Sequence, residues 1–148
     1  MGRMFKGRPI IPGEVKGEAI VSRQGLNILA TFQKAIILRQ KKATGNDKNN
    51  PYVYNQPLTD KILIIPQGIG STTGGIVLAE IACMNIAPKA IICANIIDTL
   101  TATGAVLSFQ WFEKRIVVID QVGDQILQEV KTGDKIEVKE DGTIIVEE

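Results

Sequence analysis

Residues 62–75 read ILIIPQGIGSTTGG, a short aliphatic run that meets a glycine-rich turn and opens into a helix. Ile62, Leu63, Ile64 and Ile65 form an unbroken aliphatic stretch ended by Pro66, which suits a strand buried on both faces. Gly68 and Gly70 permit positive φ and a close approach of backbone to another group, and Ser71, Thr72 and Thr73 are good N-cap residues for a helix over Ile76–Ile86. Unpaired N–H groups and the positive end of the helix dipole would then sit beside three hydroxyls, a combination that favours a carboxylate or phosphate. The run lacks the Lys of a Walker motif and the spacing of a dinucleotide fingerprint, so nucleotide binding is disfavoured. Two readings stay open from the pattern alone: an anion site, or an ordinary strand-to-helix turn with a serine cap.

Downstream, Ala90–Cys93 (AIIC) reads as a second buried strand and Ile97–Phe109 as a second helix, with Asp98 or Thr99 at its start and Gly104 as a weak point. Arg115–Asp120 (RIVVID) reads as a third strand, so residues 62–120 describe two right-handed crossover units and a short parallel βαβαβ core. Lys135–Val138 and Thr143–Glu147 flank Glu140-Asp141-Gly142, a hairpin signal, with another turn at Lys131–Asp134. Upstream, Gly13–Ser22 alternates like a strand, with a bulge expected at Gly17, and Lys34–Arg39 (KAIILR) reads as a strand. Residues 41–56 are the most polar stretch and read as a long loop, either a disordered surface excursion or, through Tyr52 and Tyr54, a contact for a partner. Hairpin strands packed on an α/β layer give a β/β/α architecture, expected to form a single domain over residues 1–148.

The chain has 148 residues, 45% hydrophobic and 22% charged, enough to bury one core. Its net charge of +1 supplies no electrostatic drive toward nucleic acid or an anionic membrane. No segment approaches the ~20 apolar residues of a membrane span and no signal peptide is visible, so a cytoplasmic protein is expected. There is no histidine, which removes His-based acid–base chemistry and His metal ligation. Cys83 and Cys93 lie in no Cys-x-x-Cys spacing and read as small core residues, so no metal site is expected from this chain alone.

The order of these elements, with LTDKILIIPQGIGSTTG, NIAPKAIICAN, DTLTATGAV, RIVVID and KTGDKIEV, resembles the small subunit of the aconitase X family, from about Gly13 to Glu148. The resemblance implies a swivelling β/β/α domain that closes over the substrate of a separate large subunit in a heterodimer or higher assembly. That subunit is expected to hold an iron centre, commonly an iron–sulfur cluster. The family's serine follows Gly-x-Gly and falls on Ser71, which is taken to remove a proton α to a carboxylate, while Gly68, Gly70, Thr72 and Thr73 would shape the binding site. A serine hydroxyl can serve as such a base only where its alkoxide is stabilised, and helix N-terminal amides are suited to that. Family members dehydrate mevalonate 5-phosphate in archaeal isoprenoid synthesis or cis-3-hydroxy-L-proline in bacterial catabolism.

One position and one segment depart from the family pattern. Ile69 stands where the family has Arg, which removes a cation from the site, and residues 26–45 have no counterpart of the family's Gly-Gly-Val-Asp-Pro. Lys34, Arg39, Lys41 and Lys42 either replace that charge or form a solvated basic face. Three functions therefore remain in view: a hydro-lyase subunit, a non-catalytic structural or regulatory partner, and a free-standing anion-binding module.

Overall fold

The computed structural model describes residues 3–147. Its strands are β1 (Arg3–Lys6), β2 (Arg8–Ile11), β3 (Val15–Val21), β4 (Leu26–Asn27), β5 (Ile62–Ile65), β6 (Gly68–Ile69), β7 (Ala90–Cys93), β8 (Val117–Asp120), β9 (Lys135–Val138) and β10 (Thr143–Glu147). Its helices are α1 (Ile28–Ile37), α2 (Thr73–Cys83), α3 (Thr99–Phe112) and the short α4 (Gln125–Glu129). Eight strands run in the order β1-β10-β9-β3-β5-β7-β8-β2, and β4 and β6 make a separate parallel pair.

The aliphatic runs explain the centre of this order. β3, β5, β7 and β8 are mutually parallel, and every residue of β5, β7 and β8 is buried. Alternation sends Leu63, Ile65, Ile91 and Val118 into one core with α1, α2 and α3. It sends Ile62, Ile64, Ile92 and Val117 into a second core with Ile136, Val138, Ile144 and Val146 of the hairpin. β3 joins the two layers: residues 15–18 pair antiparallel with β9, and residues 19–21 pair parallel with β5. The result is a β/β/α stack.

Several expectations need correction. Lys34–Arg39 is not a strand: residues 34–37 complete α1, because Asn27 Oδ1 accepts from Ala30 N (3.0 Å) and Ile28, Thr31, Phe32 and Ala35 fall on one buried face. Gly17 carries no bulge, since β3 and β9 keep continuous register from Val15 to Glu18; the irregularity lies between Pro9 and Ile11 at the β2 edge. Residues 41–56 are not a disordered excursion. Ala43, Asn50 and Val53 are buried, and the Asn50 amide donates to Ser22 Oγ (3.0 Å). Cys83 is exposed rather than in the core, whereas Cys93 is buried.

Gly104 is a packing requirement more than a weak point in α3. A Cβ there would lie 2.5 Å from the Gly75 carbonyl oxygen and 3.0 Å from Gly75 Cα, so the two glycines let α2 and α3 cross backbone to backbone. At the carboxyl end of β8, the buried carboxylate of Asp120 accepts from Arg8 Nε (2.9 Å), from the terminal guanidinium nitrogen Nη2 of Arg8 (2.8 Å) and from Ile97 N (2.9 Å). Burial raises the pKa of this carboxyl, but the Arg8 and Ile97 hydrogen bonds outweigh burial and hold it below the usual carboxylate range.

Two outcomes are expected. Gly104→Ala gains about 1 kcal/mol of helix propensity but meets backbone that must shift, a cost of roughly 1–3 kcal/mol, so urea denaturation should show a net loss; equal or greater stability would contradict the close crossing. Asp120, with its folded pKa lowered, contributes stability that is present above the ordinary carboxylate pKa of about 4 and is lost as pH falls through the folded value. Arg8→Ala should therefore destabilise the protein at pH 7, with a deficit that shrinks as pH falls through the folded value, measured by denaturant titration at several pH values.

Candidate active site

The glycine turn leaves the carboxyl end of β5, the edge where open parallel sheets bind ligands. Leu26 N donates to Gln67 O (2.9 Å), and β6 pairs in parallel with β4, which places Asn27 opposite Ile69. Gly70 has φ 109°, and a Cβ there would fall 2.9 Å from Asn27 Oδ1, so conformation and space both require glycine. On the other flank, Gly68 N donates to Asp98 Oδ1 (2.8 Å). A Cβ on Gly68 would lie 2.2 Å from Thr101 Oγ1 and 2.6 Å from Asp98 Oδ1. Gly68 is buried here, with no positive φ; close approach is its whole requirement.

The turn then delivers the chain to the start of α2, an 11-residue helix. Thr72 occupies the N-cap position but its side chain makes no capping hydrogen bond. Gly74 N instead donates to the Ser71 carbonyl (3.1 Å). Ser71, Thr72 and Thr73 are exposed, and their hydroxyls are not committed to any hydrogen bond among the described residues. Of the two readings of the turn, the serine cap is thus not what the structure shows. Three free hydroxyls stand beside the positive end of a helix dipole, a setting that stabilises an anion.

The surroundings supply little charge. Ile69 is 51% exposed, and its side chain lies over Gly25. Arg39 and Lys41 line a cavity with Glu80 and Met84, at the opposite end of α2 from Ser71. At 1.5 Å per residue that end is roughly 16 Å away, so these two cations belong to a solvated face. Beside the turn, Gln67, Ala94, Asn95, Ile96, Gln121 and Gly123 line a cavity of about 500 Å³ across the carboxyl ends of β5, β7 and β8. Burial, and then the charges of Asp98 and Asp120, push the Cys93 thiol up to about 12, which keeps it protonated and poor as a ligand or nucleophile. Among the described residues no three Cys, Asp or Glu side chains gather as a metal-binding group.

The hydroxyls, the glycines and the place of Asp98 near a helix start are legible in the sequence. The Asp98–Gly68 bond, the Asn27 contact and the Arg8–Asp120 pair are not, since each joins segments far apart in the chain. The signal for Asp98 was partial: an aspartate N-cap uses one carboxylate oxygen toward the helix and leaves the other free.

The geometry can be set beside known proteins. The family model for the aconitase X swivel domain matches residues 4–146. The chain is 35% identical over 137 residues to the phosphomevalonate dehydratase small subunit of Thermococcus kodakarensis, covering 93% of this chain and 90% of that protein. It is 30% identical to the protein of the same name from Archaeoglobus fulgidus, covering 93% and 92%. The one from Methanocaldococcus jannaschii is 33% identical, covering 90% and 89%. In structure the chain is similar to a chain of holo-form aconitase X from Thermococcus kodakaraensis, with a TM-score of 0.82 and 33% identity over 99% of this chain and 100% of that one. From strand order to glycine turn, then, the chain belongs to the aconitase X swivel-domain family.

Proposed function

We propose that this chain is the small, swivelling subunit of a two-chain hydro-lyase that dehydrates mevalonate 5-phosphate to trans-anhydromevalonate 5-phosphate, and that it works in the cytoplasm. The observation that carries the reading is the free Ser71 hydroxyl at the N-terminus of α2, presented by a turn whose glycines have no room for side chains. The names of relatives that match nearly the whole chain support the substrate and the need for a large subunit. Ile69, Ile76 and Ile96 support a partner as well: they are 51%, 67% and 63% exposed on the segments that build the turn and the helix start.

In this reading Ser71, as its alkoxide, takes the proton from the carbon α to the substrate carboxylate. The hydroxyl on the neighbouring carbon departs, and the atoms lost sum to one water. The first-turn amides of α2 and its dipole lower the cost of the alkoxide and favour an anionic substrate. Thr72 and Thr73 add hydroxyl donors, and Gly68 and Gly70 shape the site by letting the turn pack against Asp98, Thr101 and Asn27. The residues of this chain do not fit an iron centre, given the protonated, buried Cys93 and the isolated, exposed Cys83, so the iron is assigned to the large subunit, where it would help the hydroxyl leave. Nucleic acid and membrane are not partners in this reading; no helix among the described residues is long and apolar enough to cross a membrane.

Ile69 favours a second reading. Without the family's Arg, the turn offers a substrate phosphate no side-chain cation, which would suit cis-3-hydroxy-L-proline or a non-catalytic assembly role. Both substrates belong in one anaerobic assay of the chain reconstituted with its large subunit. Turnover of mevalonate 5-phosphate supports the first reading; turnover of hydroxyproline alone, or of neither, removes it. Ser71→Ala should lower kcat by about 10²–10⁴, the usual contribution of a general base, while gel filtration still shows the complex. Near-normal turnover would take Ser71 out of the mechanism.

A further inference from the structure

Ser71 has no side-chain partner of its own among the described residues, so its placement, the direction of its Cα–Cβ bond, is set by the backbone that precedes it. Only Ile69 and Gly70 separate it from Gly68, whose N–H is held by Asp98 Oδ1 at 2.8 Å. The other carboxylate oxygen, Oδ2, accepts from Thr101 N and Thr101 Oγ1, both at 2.9 Å. One side chain thus closes the N-terminus of α3 with one oxygen and grips the glycine turn with the other. Its own position is fixed from beneath, because Ile97 N donates to the buried Asp120 carboxylate, which Arg8 clamps through two nitrogens.

A helix cap alone does not require this residue type, since Asn, Ser and Thr cap about as well as Asp. What only a carboxylate of this length supplies is an acceptor on both sides at once; an amide has one acceptor and must turn its NH₂ toward a donor on the other side. We infer that Asp98 is a positioning residue for the proposed reaction: its carboxylate ties Gly68 to the start of α3 and thereby aims Ser71, although it touches no reacting atom. This rests on the reading of Ser71 as the base. Misplacing a reactive group by about 1 Å can cost on the order of 10²-fold in rate, so the tie has leverage on turnover without contributing to substrate affinity.

Asp98→Asn separates the two duties. The amide oxygen keeps the two donors of Thr101, the NH₂ then faces the Gly68 N–H, and the turn loses its tether while α3 keeps its cap. In the reconstituted complex this variant should retain assembly and a near-normal melting temperature, lower kcat by roughly 10- to 100-fold, and change KM by less than about threefold. Hydrogen exchange of the peptide spanning residues 66–72 should speed up, while peptides from β5 and β7 stay as protected as in wild type. A kcat within about twofold of wild type, a loss confined to KM, or unchanged exchange at 66–72 would overturn the inference. If Asp98→Asn does not fold, Asp98→Ser, which also caps but is too short to bridge both sides, carries the same readouts. The exchange result stands apart from turnover: an inactive wild-type complex would count against the proposed function, and unchanged exchange would count against Asp98 alone.

Discussion

The turn between β5 and α2 is held on both flanks by bonds to its backbone and is crowded where a side chain would otherwise sit. Leu26 N and the β4 pairing fix one side, the Asp98 carboxylate fixes the other, and Gly68 and Gly70 leave room for both. Such a turn has little freedom to relax, and it fixes the backbone position from which the Ser71 side chain departs. The parallel strands matter because they bring the loops after β5, β7 and β8 to one edge, where Gly68, Asp98 and Asp120 can meet. The Gly75–Gly104 crossing extends the same logic, since the two helices rising from that edge can approach only where side chains are missing.

In the proposed function the chain presents half a site there. It offers amides, a helix dipole and hydroxyls but no cation in the turn, whose exposed large side chain is Ile69, while Arg39 and Lys41 sit at the far end of α2. It offers no metal ligand set among the described residues either. In the proposed function these groups act as a base and an anion cradle completed by an acid from the large subunit, and the exposed isoleucines on the same segments would be costly to leave in water.

How legible this was depends on how local each determinant is. The strand at Ala90–Cys93 and both hairpin strands were read with their observed limits, because aliphatic runs and an Asp-Gly turn are signals carried by adjacent residues. The second half of α1 was misread because Ile36, Ile37 and Leu38 look like a strand until Asn27 is recognised as a cap seven residues before Lys34. Residues 41–56 looked like solvent-exposed loop by composition, yet Asn50 is buried by a partner, Ser22, that no local rule could name. Ser71 and its glycines were visible as a motif. The bond that aims them was not, since Asp98 reaches Gly68 across 30 residues of sequence.

In the proposed function this chain is the mobile half of a two-chain dehydratase whose iron would lie in the other half. The most direct measurement is anaerobic affinity purification of the tagged chain from its native host, with mass spectrometry of what accompanies it and iron and sulfide analysis of the complex. The expected result is a larger, cysteine-bearing partner in stoichiometric amount, carrying iron. A lone, metal-free chain, recovered under conditions that preserve complexes, would contradict it and favour a free-standing anion-binding module.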